Sequence, residues 1–227
     1  MAGETGRDEG GAAIEIVSGI ELTTQFRGRP LHLLGYFFRL EDACLTSLLE
    51  RLREHRRERF REMIVRLARQ GVAVKLPDDR VPSGALGRRH VAELLVKAGH
   101  AATIRQAFLR YLDDAGRVHV PHYELAVEEA IEFVRSAGGV AAWAHPSYDC
   151  TRHALEGLRI CGLRAVEVDW PSCRLSRARE LRAWAAELGL AVTGGSDCHG
   201  PGNHLRAVGA RGITVDELEQ LRSLAAT

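Results

Sequence analysis

What most limits how this chain can fold is the alternation of strand-like and helix-like segments after Pro121. AVEEAIEFVRSAGG reads as a helix with a glycine stop, and VAAWAHP as a strand ending in polar residues. TRHALEGLRICG reads as a helix, LRAVEVDW as a strand and SRARELRAWAAELG as a helix. LAVTGGSDCHG is a strand running into a polar loop, and VDELEQLRSLA a closing helix. A strand–helix period of roughly 25–30 residues predicts parallel strands with helices outside them. Upstream, IEIVSGIELTT reads as one strand, Arg27-Gly28-Arg29-Pro30 as a turn and LHLLGYFF as a second strand. The apolar run of LHLLGYFF suits burial on both faces. Residues 1–12 are small, polar and Gly-rich, and are expected to be disordered.

Between these parts the rhythm changes. Leu45, Leu48, Leu49, Leu52, Phe60, Met63, Ile64 and Leu67 recur at helical spacing, with Arg51, Arg53, Arg56, Arg57, Arg59 and Arg61 between them. That pattern predicts a long amphipathic helix, or two, with a basic face, ending near Gly71. HVAELLVKAG and TIRQAFLRYLDDAG read as two shorter helices. The expected organisation is a helical insertion over 41–120, set within a main domain of 13–40 and 121–227.

Composition narrows the function classes. With 31 basic and 30 acidic residues the chain has no global attraction for nucleic acid, although a local basic patch remains compatible. No apolar run approaches the roughly 18–20 residues of a membrane span, and MAGETGRDEGG has no apolar core for a secretory signal. A cytoplasmic protein is expected. The five cysteines include no Cys-x-x-Cys pair, so buried, inert thiols are expected rather than disulfides. A zinc knuckle from Cys150, Cys161 and Cys173 is the alternative.

The candidate chemistry sits where strands run out. His145 follows VAAWA, Asp197 and His199 follow LAVTGGS, and Glu21 follows VSGI. In a parallel α/β array the carboxyl ends of strands share one rim, where reactive groups collect. Any one of these residues alone reads as a polar loop residue. Together they form a donor set of imidazoles and carboxylates that suits zinc, manganese or iron. Asp197 and His199, two apart at a strand end, are expected to face one side, with Cys198 pointing away as a packed thiol.

Seven segments in order carry a resemblance: GIELTT, RPLHLLGYFF, LGRRHVAELLVKAGH, AFLRYL, AIEFVRSAGGVAAWAHP, GLRAVEVDWP and TGGSDCHG. Together they resemble the PHP superfamily, named for polymerase and histidinol phosphatase, in its branch of small phosphoesterases acting on nucleotides and short RNA. The resemblance implies an α/β fold, a distorted (β/α)7 barrel with up to three divalent metals (Mn2+, Zn2+ or Fe2+) on its rim. It implies that Glu21 bridges two metals, that His32 and His145 ligate one of them, Asp197 the other, and His199 the third. It also implies that Arg88 and His90, and the arginines Arg57 and Arg59, approach substrate phosphate; a solvated helix face is the other reading of the last two.

The family pattern begins with His-x-His and Asp-His-Asp segments ahead of the Gly-Ile-Glu segment. Residues 1–20 contain no histidine, and His55 and His100 sit in helical contexts. His119 and His122 lie closer to the rim, but replacement by them is not expected. The barrel is therefore expected to lack its first two βα units and to hold one or two metals. A late start codon, a degenerate relic, and completion by another chain or a second copy each account for the difference. The expected function is metal-dependent hydrolysis of phosphate esters of nucleotides or short 5′-phosphorylated oligonucleotides. The alternatives are a catalytically impaired domain that binds metal or nucleotide, and a deaminase- or amidase-like metal hydrolase.

Overall fold

The computed structural model describes residues 5–7, 13–75, 86–113, 118–147, 150–198 and 204–225. In chain order the elements are β1 (Thr5–Arg7), β2 (Ala13–Glu15), β3 (Gly19–Phe26), β4 (Arg29–Tyr36), α1 (Ala43–Arg69), α2 (Arg88–Lys97) and α3 (Ile104–Ala107). A π-helical turn, Phe108–Leu112, continues α3. Then come α4 (Val127–Ser136), β5 (Val140–Trp143), α5 (Arg152–Ile160), β6 (Ala165–Asp169), α6 (Leu175–Leu188), β7 (Ala191–Gly194), a 3₁₀ turn at His204–Arg206 and α7 (Val215–Arg222). The chain divides into two compact units, one of residues 1–46 with 124–227 and one of 47–123.

The first unit is built on a five-stranded mixed sheet of order β3-β4-β5-β6-β7. β5, β6 and β7 are parallel, as the strand–helix alternation predicts. β4 runs antiparallel to both β3 and β5. A two-residue turn joins β3 to β4, with Arg27 at φ 50° and Gly28 at φ 75°. Two positive φ values define a type I′ turn, whose twist matches that of the flanking strands. The described strands form an open sheet, with β3 and β7 at its edges, rather than a closed barrel.

Three local expectations change. IEIVSGIELTT is not one strand, because the backbone leaves the extended ladder at residues 16–18 between β2 and β3. Residues 5–7, part of the stretch expected to be disordered, pair antiparallel with 13–15. β4 is buried on one face only: Leu31, Leu33 and Gly35 are buried, while His32, Leu34 and Tyr36 are partly exposed. The buried face takes α4, so closely that a Cβ on Gly35 would sit 2.9 Å from Val134 Cγ2. The opposite face continues across the sheet through Ala142, Ala165 and Ala191, small residues packed with Val140 and Leu221. This second face carries the site.

In the other unit, α1 presents Phe60, Met63 and Leu67 to Leu86, Val91, Leu95, Ala107, Leu112 and Val118, forming a separate apolar core. The helix stops where the sequence predicts. Gly71 adopts φ 77°, and Val72 N donates to Leu67 O at 3.0 Å. A left-handed glycine there closes the last helical carbonyls without a Cβ penalty.

Candidate metal centre

The register of the β3–β4 hairpin assembles the first half of the site. Glu21 pairs with Leu34 and Thr23 with His32. Residues opposite one another share a face, and so do residues two apart along a strand. Glu21 and His32 are therefore diagonal neighbours on the face that α4 does not cover. Glu21 is the third residue of β3 and His32 lies in the middle of β4, so neither occupies a strand's carboxyl end. That corrects the expectation for Glu21.

His145 arrives from β5. Ala144 N donates to His32 O at 2.9 Å, one residue beyond the strand. The chain then turns, with His145 at φ 29°. A left-handed backbone at a non-glycine residue costs on the order of 1 kcal/mol and must be held by its surroundings. Two contacts hold it. His145 N donates to Glu167 Oε2 at 2.5 Å. Arg177, from α6, donates to Ser147 O at 3.0 Å and to Cys150 O at 2.9 Å, fixing the segment that follows. Arg177 is itself buried and paired with Glu180.

Three donor atoms converge. His32 Nδ1 lies 2.8 Å from Glu21 Oε1, His145 Nε2 lies 3.1 Å from the same oxygen, and the two nitrogens are 3.2 Å apart. Atoms held about 2.1 Å from one ion at roughly 90–110° are about 3.0–3.4 Å from each other. The donor set therefore fits a divalent cation in both spacing and chemistry, with imidazoles and a carboxylate together. Among the described residues this is the one cluster of three or more His, Cys, Asp or Glu able to hold a metal. The zinc knuckle of Cys150, Cys161 and Cys173 is thus not formed: Cys150 is buried, and burial raises the thiol pKa values of Cys161 and Cys173.

The charges respond to this crowding. Hydrogen bonds from His145 and then His32 hold the Glu21 carboxyl well below the usual carboxylate range. The bond to Glu21 raises the pKa of His145. Glu167 moves the other way. Burial, helped by the charges of Asp197 and Glu21, pushes it up to about 7. Sequence reasoning missed Glu167; the available signal was a lone acid inside the apolar run AVEV.

Asp197 lines the same cleft as Glu21, His32 and His145, together with Trp170 and Arg206, in a space of about 430 Å³. β7 ends at Gly194, and Asp197 has φ 49°. Strand alternation therefore does not govern Asp197 and its neighbours. Arg206 Nη1 pairs with Asp197 Oδ2 and also lies 3.3 Å from its backbone carbonyl. His199 lies outside the described residues. Cys198 is exposed, not packed.

The basic candidates lie in the unit of residues 47–123. Arg59 is buried, and its Nε donates to Val120 O at 2.6 Å. Arg88 opens α2, reaches Leu112 O at 3.4 Å and stands over the Phe108 ring. Both lie near His122, whose pKa falls to about 4 through burial first and then the charges of Arg59, Arg88, Arg56 and His119. Arg57 instead pairs with Glu54 on the exposed side of α1. His90 turns its ring back to accept from Gly87 N at 3.2 Å, closing the start of α2. Arg59 and Arg88 are thus brought together, with Arg56, His119 and His122, while Arg57 and His90 make other contacts.

Three converging donors in a cleft of a mixed α/β sheet define a candidate metal-binding hydrolase site. No protein-family model matches the chain. It is 30% identical over 207 residues to a 3′,5′-nucleoside bisphosphate phosphatase of Chromobacterium violaceum, covering 86% of this chain and 72% of that one. It is 29% identical over 194 residues to a 5′-3′ exoribonuclease of Haemophilus influenzae, covering 83% and 71%. A solved structure from Bifidobacterium adolescentis, assigned as a metal-dependent phosphoesterase, superposes with a TM-score of 0.80 at 25% identity, covering 94% of this chain and 78% of that one. The chain belongs to the family of the 3′,5′-nucleoside bisphosphate phosphatase.

Proposed function

We propose that the protein hydrolyses phosphate esters of nucleotides or of short 5′-phosphorylated oligonucleotides, using divalent metal held by Glu21, His32 and His145. The observation that carries this reading is the convergence of those three donors within one cleft, in a chain of this family. Asp197 and His199 are the proposed further ligands. The reading places the chain in the PHP superfamily. Residues 13–40 and 121–227 would form an incomplete part of a distorted (β/α)7-type barrel, as the open sheet from β3 to β7, with 41–120 its helical insertion and the cytoplasm its location. Mn2+, Zn2+ and Fe2+ all suit the donor set.

A divalent ion, when bound, supplies Lewis acidity toward a phosphoryl oxygen and lowers the pKa of the attacking water. The protein's own residues do the rest. Glu21 stays ionised throughout the neutral range and so remains a ligand rather than a proton donor. Glu167 and Arg177 hold the turn that aims His145. Arg59, Arg88 and Arg56, around a neutral His122, form a cationic cluster suited to a substrate phosphate, because a planar guanidinium matches phosphate oxygens two at a time. Arg57 and His90 are the weaker members of the proposed phosphate set, since each is engaged within its own helix region.

The test is hydrolysis of a nucleoside 3′,5′-bisphosphate and of a short 5′-phosphorylated RNA with Mn2+, beside His145→Ala. Turnover should fall at least about a hundredfold in the variant, as expected when a metal ligand is lost. Equal turnover in both proteins, or nucleotide binding with no turnover in either, would refute the reading.

A further inference from the structure

We propose that Arg206 is a phosphate-binding arginine of the cleft, gripping a phosphoryl group of the substrate beside the Glu21–His32–His145 cluster; the inference rests on the phosphoesterase reading above. Arg206 ends the 3₁₀ turn at His204–Arg206 and lines the same cleft as the three donors. Both of its described hydrogen bonds, to Asp197 O and Oδ2, use the single nitrogen Nη1. A guanidinium carries five N–H donors in a rigid fork. Nη2 and Nε thus make no hydrogen bond among the described residues, and the side chain keeps 37% of its exposure. The cleft's other arginine, Arg177, differs: it is 6% exposed, and both of its terminal nitrogens are spent on Glu180, Ser147 O and Cys150 O.

Two further features favour an anion at Arg206. The cleft wall carries the carboxylates of Glu21 and Asp197, with Glu167 behind them, so an approaching phosphate meets repulsion that a fixed cation must offset. Anchoring Nη1 on Asp197 also removes rotamer freedom before the substrate arrives, so less entropy is lost when the remaining donors bind. A lysine would supply charge but not the fork, and would lack a second nitrogen to serve Asp197 and phosphate together.

The test compares the unaltered chain with Arg206→Lys and Arg206→Ala. It measures inorganic phosphate binding by calorimetry with Mn2+ present, bound Mn2+ per chain, and KM and kcat for a nucleoside 3′,5′-bisphosphate. In Arg206→Ala, the Kd for phosphate and the KM should each rise at least about tenfold, with an intermediate rise in Arg206→Lys. Bound Mn2+ should stay the same and kcat should change by less than about threefold. No measurable phosphate binding by the unaltered chain, or an unchanged phosphate Kd in both variants, overturns the assignment. Loss of bound Mn2+ alongside phosphate in both variants overturns it too, because Arg206 would then act only by holding Asp197. Phosphate binding that depends on Arg206 in a chain that turns over no nucleotide sinks the phosphoesterase reading and leaves this one standing. Turnover with phosphate binding indifferent to Arg206 does the reverse.

Discussion

Replacing Glu167 with glutamine keeps an oxygen acceptor for His145 N–H but removes the ionisation. In the folded protein the carboxyl is buried, and its pKa stands near 7 instead of the ordinary 4.5. Between those values the unfolded chain has released the proton while the folded one retains it. Stability therefore falls as pH rises from about 4.5 to about 7, and the cost is complete above that. At about 1.4 kcal/mol per pH unit, the full penalty is about 3 kcal/mol. Glu167→Gln should escape it. Urea unfolding of the metal-free proteins at pH 5 and at pH 8 provides the assay. Because the unfolded carboxyl is already largely ionised at pH 5, the difference in stability between variant and unaltered protein should shift in the variant's favour by about 2.5 kcal/mol from the lower to the higher pH. Using the shift between two pH values cancels whatever the amide itself does to packing. A difference that is the same at both pH values would mean that Glu167 ionises normally in the fold, and the reasoning from burial would fail.

Two further outcomes follow from contacts at the same site. His32→Ala removes one of three converging donors, so Mn2+ affinity measured by calorimetry should drop at least about tenfold while the melting temperature of the metal-free protein changes little; unchanged affinity would remove His32 from the donor set. Arg177→Met should cost about 2 kcal/mol in urea unfolding, because it removes the ion pair with Glu180 and the guanidinium bonds to the carbonyls of Ser147 and Cys150. A loss below about 1 kcal/mol would mean that water replaces those bonds.

Much of the fold was legible because its signals are local. The parallel β5-β6-β7 order follows from strand–helix alternation, and the extent of α1 follows from leucine spacing and the Gly71 stop. β4 was misjudged because an apolar run looks alike whether both faces are covered or one face borders a cleft; His32 within the run was the only clue. Among the site residues, Glu21, His32 and His145 come together, each introduced by its own strand. Glu167 was missed because its value lies in what surrounds it, a backbone N–H from a turn 22 residues earlier. Arg177 and Arg206 were missed for a similar reason. Each lies among other arginines of ordinary surface character, and only tertiary placement brings them to the cleft.

The two-residue turn at Arg27-Gly28 has a consequence for assembly of the protein. It locks β3 and β4 into a single alignment, the one that makes Glu21 and His32 diagonal neighbours. A slip of one residue would send His32 to the opposite face from Glu21, and a slip of two would either part the pair or set them directly opposite, out of their diagonal arrangement. Folded molecules with a misaligned hairpin would keep most of their backbone bonds yet lose the ion. On the proposed reading, metal capture would act as a proofreader of strand pairing, since it would favour chains that have closed this hairpin in the native alignment.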